Sequence, residues 1–113
     1  MGVFCQVLDK ARSINDECAK RILVKGKAVV TLDAAKVFVD EGVMLFGNES
    51  QTVGPENAPA AVHNLMLGAD KIFLEGIRLS EVPEGEYLLN AAPLNLGGCD
   101  GAPCRAVLVD LKN

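Results

Sequence analysis

The chain contains one histidine, His63, and twelve positions later an apolar run ends in a carboxylate, Glu75, within VHNLMLGADKIFLEG (residues 62–76). An imidazole nitrogen and a carboxylate oxygen are donors that borderline divalent ions accept. The pair is therefore a candidate for part of a metal site, with zinc or manganese as the ion, carried on two consecutive elements. Two side chains do not complete such a site, because catalytic zinc usually takes three protein donors. The structural alternative is simple. A histidine beside Val62 and Met66 on a helix face is more often a satisfied interior residue than a ligand. A carboxylate closing an apolar strand is often a solvated acid or a partner for Arg78 or a lysine.

Other groups that could do chemistry are fewer. Asn48–Asn57 (NESQTVGPEN) is a long polar stretch after an apolar run, where loops often form the mouth of a site, and it carries Glu49 and Ser50. It reads equally well as a surface loop closed by Gly54-Pro55. A serine nucleophile has little support, since no second histidine can act as its base once His63 is spent. Asp100 and Arg105 read as turn-shaping residues that pair locally. Of the four cysteines, Cys99 and Cys104 bracket an Asp-Gly-Ala-Pro turn without the two-residue spacing of a zinc knuckle. Cys5 and Cys18 read as small interior residues.

The elements that must position these groups follow from periodicity and punctuation. Val3–Leu8 reads as a strand. Ser13 and Asp16 resemble an imperfect capping box opening a helix to about Lys20. Arg21–Val24 is a short apolar run that Ala28–Val30 could continue. Thr31 caps a second helix, whose Leu32, Ala35, Phe38 and Val39 share one face and which Gly42 stops. Val43–Phe46 is a strand buried on both faces, ending at Gly47. A helix over 58–67, with Pro59 in its first turn and Gly68 as its stop, packs Val62, Leu65 and Met66 inward. Ile72–Leu74 is the next strand and places Glu75 at its carboxyl end, where α/β sheets tend to hold their chemistry. A turn back through Gly68-Ala69-Asp70 could aim His63 and Glu75 into one pocket. Val82-Pro83-Glu84-Gly85 is a turn, 86–92 and 105–111 are extended, and Leu94–Cys104 is a Gly-rich connection holding Asp100-Gly101. Helix and strand alternate through the first two-thirds and strands dominate the last third. The fold class is thus α/β, a single domain over 1–113 with a mixed sheet flanked by helices.

Composition excludes several partners. The 113 residues suit one domain, half of them are hydrophobic, and with no Trp and one Tyr the core must be aliphatic. A net charge of −4 without a basic cluster argues against nucleic acid, as does the lack of aromatic stacking platforms. No apolar run approaches the roughly 20 residues of a membrane span. Nothing before residue 10 reads as a signal peptide, so free thiols in a reducing, cytoplasmic setting are expected.

Four stretches, taken in order, resemble the C-terminal half of the cyclase family of metal-dependent hydrolases, which includes bacterial kynurenine formamidase. LDAAKVFVDEGVMLFGNES is similar to the family segment leading into its Gly-x-acid-x-x-Ser loop, with Glu49 and Ser50 near the acid and serine. APAAVHNLMLGADKIFLEGIRL is similar to the His-x-x-Leu-Leu-Gly…Glu unit. VPEGEYLL and APLNLGGCDGAPCRAVLV match the strand that meets an Asp-Gly-(Ser/Ala)-Pro-x-Arg-Ala turn. Together they span about residues 31–110. The resemblance implies a swivelling β/β/α-like fold and hydrolysis of an amide or cyclic amide. It also implies that His63 and Glu75 are the second-metal ligands. The family's His-x-Gly-Thr-His-x-Asp motif, and the histidine that moves protons, have no counterpart in these 113 residues. Two readings follow. One is a hydrolase-lineage chain whose remaining metal ligands and amide substrate require a missing N-terminal half. The other is a non-catalytic remnant that oligomerises through apolar surface.

Overall fold

Within β1 (Val3–Leu8) and β2 (Arg21–Val24), successive side chains point to opposite faces, and both faces become interior. A computed structural model describes residues 3–9, 20–55, 57 and 59–111 of the chain. The helix expected from Ser13, and Cys18, lie outside the described residues. β2 runs parallel to β1 with Gln6 opposite Ile22, and β3 (Leu45–Asn48) runs parallel to β2 with Ile22 opposite Phe46. β4 (Ile72–Leu74) continues the parallel set with Phe46 opposite Phe73. β5 (Gly85–Pro93) returns antiparallel to β1, and β6 (Cys104–Val109) pairs antiparallel with β5. The order across this mixed sheet is β4-β3-β2-β1-β5-β6.

Among the described residues, two helices bridge the parallel strands, α1 (Leu32–Asp40) and α2 (Pro59–Gly68). Thr31 caps α1 as expected, its hydroxyl accepting the Ala34 N–H at 3.2 Å. The other end closes as a Schellman motif: Gly42 N–H donates to Val39 C=O, Val43 N–H donates to Phe38 C=O, and Gly42 takes φ +75°. Ala35, Val62 and Met66 from the helices pack with Leu8, Ile22, Val24 and Phe46 of the sheet. The opposite face carries a second cluster, Cys5, Val7, Leu23, Leu45, Leu74, Tyr87 and Leu89, joined by Leu79 from the connection after β4.

Several boundaries differ from expectation. β2 stops at Val24, because Lys25 and Gly26 turn the chain (Gly26 φ +83°), and 28–30 forms no strand. β3 begins at Leu45 and passes through Gly47 to Asn48. Gly47 is therefore a packing position and not a terminator: a Cβ there would lie 2.7 Å from Leu23 Cδ2 and 3.0 Å from Leu74 Cβ. β6 ends at Val109, two residues before the expected Leu111.

Candidate metal centre

Helix α2 places Val62 and Met66 in the core, which turns His63 toward the rim of that packing, with 27% of its side chain exposed. The imidazole stands edge-on to the Phe73 ring at 5.1 Å and 77°, an arrangement that favours one ring orientation. After α2 the chain reverses through Gly68-Ala69-Asp70. Lys71 N–H donates to Met66 C=O at 3.0 Å, and Asp70 takes φ 61°. The reversal leads directly into β4, whose end delivers Glu75.

The two candidate ligands meet. His63 Nε2 lies 3.3 Å from Glu75 Oε2. Two donors held by one tetrahedral ion at bond lengths of about 2.0–2.2 Å sit about 3.4 Å apart, so the observed separation fits joint coordination as well as a direct ion pair. The same Oε2 accepts the Val53 N–H at 2.8 Å. A backbone donor on a coordinating carboxylate is the kind of outer contact that fixes a ligand's orientation. Gly76, the next residue, donates its N–H to Ser50 C=O at 2.7 Å. The Asn48–Asn57 loop thus holds both the carboxylate and the backbone that carries it.

Of the other residues singled out in that loop, Glu49 ties it to neighbouring segments and Ser50 shapes the loop itself. Glu49 Oε1 accepts the Leu79 N–H at 2.7 Å and Oε2 accepts the Gly26 N–H at 2.6 Å. The Leu79 and then the Gly26 hydrogen bonds hold its carboxyl below the ordinary value, with help from Lys25 and against the opposing effect of burial. Ser50 Oγ accepts the Thr52 N–H at 3.4 Å.

A concave hollow of about 1300 Å³ opens beside the pair. Its walls include Leu23, Leu45, Leu74 and Leu89, with His63 and Glu75 also lining it. Asp100 reaches it from the β5–β6 connection and Cys104 from the start of β6, whereas Arg105 stands opposite Ala92 in the hairpin. Among the described residues, no group of three or more His, Cys, Asp and Glu side chains could hold an ion. His63 and Glu75 therefore supply two donors and no third. The Val53 N–H was not foreseeable from residue types, since every residue but proline carries one. Asn48, which shapes its loop, had a faint signal in the tendency of asparagine to accept the N–H two residues on.

Comparisons with known proteins bear on the chain as a whole. No family model matches the chain. The kynurenine formamidase of Salinibacter ruber (strain DSM 13855 / M31) is 39% identical over 79 residues, 69% of this chain and 37% of that protein. That of Sphingopyxis alaskensis (strain DSM 13593 / LMG 18877 / RB2256) is 36% identical over 83 residues, 73% and 40% respectively. The chain thus spans less than half the length of these curated relatives. Two solved structures share its fold. A potential metal-dependent hydrolase with cyclase activity superposes with a TM-score of 0.77 at 25% identity, over 95% of this chain and 64% of that one. A predicted metal-dependent hydrolase from Bacillus stearothermophilus gives 0.76 at 27% identity, over 93% and 62%. By sequence the chain is similar to part of the kynurenine formamidases, and by fold to metal-dependent hydrolases, a likeness consistent with the C-terminal half of the cyclase family.

Proposed function

We propose that the chain carries one side of a divalent-metal site of a hydrolase, with His63 and Glu75 as ligands. The observation that supports this most directly is the 3.3 Å separation of His63 Nε2 and Glu75 Oε2 at an open hollow. A bound zinc or manganese ion would supply water activation and carbonyl polarisation, suiting hydrolysis of an amide or cyclic amide. The chain's own residues would bind and orient the ion: His63 is braced by Phe73, and Glu75 by the Val53 N–H. The remaining donors, and the substrate contacts, would come from polypeptide corresponding to the N-terminal half of the relatives. A reducing cytoplasmic setting suits the free thiols of Cys99 and Cys104.

The test is metal analysis of the purified chain. Stoichiometric zinc or manganese in the wild type, lost in His63→Ala, supports the site. Removing one of two protein donors is expected to weaken binding at least about tenfold, or about 1.4 kcal/mol.

A second reading is favoured by a separate observation. Leu94, Leu96, Val107, Val109 and Leu111, in and around the β5–β6 hairpin, are all more than 40% exposed, and Phe4 is 53% exposed. Apolar surface beside an edge strand is a pairing surface. On this reading the chain is a non-catalytic module that forms a homo-oligomer. Absence of retained metal, absence of amide hydrolysis with added zinc or manganese, and concentration-dependent sedimentation would together favour it.

A further inference from the structure

We propose that Asn48 is a positioning residue for the Glu75 carboxylate, acting through the peptide groups of Val53 and Ser50. Asn48 is the one buried polar side chain among the described residues, with no exposed surface. A group so placed must be fully hydrogen-bonded or it costs stability, and here both ends of the amide are used. Nδ2 donates to Ala28 C=O at 2.7 Å, and Oδ1 accepts the Ser50 N–H at 3.2 Å.

These two bonds join the segments that hold Glu75. Two residues beyond Ala28, Val30 N–H donates to Val53 C=O at 2.7 Å. The N–H of Val53 itself donates to Glu75 Oε2, the oxygen that faces His63. Val53 is therefore gripped on its carbonyl side by the segment Asn48 anchors, and its buried side chain prevents the loop from sliding. On the other branch, Ser50, whose N–H Asn48 accepts, receives the Gly76 N–H on its carbonyl. Carboxylate and backbone of Glu75 are thus both referred to one buried amide at the end of β3. A leucine of similar size could fill the space but could satisfy neither Ala28 nor Ser50.

The proposal rests on Glu75 being a ligand only in its metal-binding consequence, so two measurements are paired. The first is solvent exchange of the Val53 amide proton by NMR. The second is titration with Co²⁺, followed by its visible absorption. Asn48→Ala is compared with Tyr87→Phe, which loses a hydrogen bond to Pro83 C=O outside the Asn48 contacts and reports general destabilisation. Should Asn48→Ala fail to fold, Asn48→Ser replaces it; its shorter hydroxyl can accept from Ser50 and cannot reach Ala28. In the Asn48 variant, Val53 exchange should rise at least about tenfold over the Tyr87 control. Co²⁺ affinity should fall about 10- to 100-fold, the usual scale for losing an outer-shell partner, and remain at the wild-type value in Tyr87→Phe. Equal Val53 exchange in the two variants overturns the proposal. A wild type that takes up no Co²⁺ removes the metal reading alone, and the Val53 amide still decides the role of Asn48.

Discussion

The two ends of the sheet are built differently. From β4 to β2, parallel strands lie between the helices and the Leu79-bearing connection, and the residues at their carboxyl ends are tied by hydrogen bonds from several segments. From β5 to β6, a hairpin extends the sheet, and five of the six β6 residues are exposed. Past Leu89, the pairing of β5 is with β6 alone among the described residues. A two-stranded ribbon is marginal in water by itself. One end is thus rigid enough to hold two side chains at coordination distance, and the other presents an edge that further polypeptide can cover. The candidate ligands lie where packing is redundant, and the exposed apolar edge where it is lacking.

Substitutions on either side test that contrast. Met66→Ala, with a fully buried side chain under α2, should cost about 2–5 kcal/mol in urea unfolding. If it proves nearly neutral, the helix-covered end is not the rigid one. Thr31→Ala removes the α1 cap and should cost about 1 kcal/mol in the same assay. Glu49→Gln should change the shape of stability against pH. The folded Glu49 carboxyl titrates below its ordinary 4.5. Its contribution is therefore complete above that value and disappears as pH falls through the folded group's lower pKa. The gap between wild type and Glu49→Gln should close on acidification; a gap that widens in acid would reverse the assigned cause. The smallest effect is expected at Val107→Ala on β6, 45% exposed, within about 0.5 kcal/mol. A loss comparable to that of Met66→Ala would mean that the hairpin edge is covered in solution.

Much of the rigid end was legible in residue order. Thr31 and Gly42 bracket α1, and the apolar spacing of α2 put Val62 and Met66 inward beside His63. The reversal after Gly68 that could unite His63 with Glu75 occurs as expected. Gly47 was misread as a stop because glycine punctuation in a sequence cannot be told from a glycine required by close packing. Only the neighbouring Leu23 and Leu74 make that distinction. Glu49, read equally as part of a site mouth or of a surface loop, satisfies two backbone donors from distant segments.

Residue order alone determined the strand at Val3–Leu8, helix α1 with its Thr31 cap, helix α2, and the imidazole and carboxylate of the candidate centre. Periodicity and capping act over a turn or two of chain, so they are written locally. Tertiary structure alone decided that Val53 holds Glu75, that Asn48 anchors the loop doing so, and that a hollow lies beside the pair. Those features depend on backbone groups that all residues share, and on how β3 and β4 register against one another across more than twenty intervening positions.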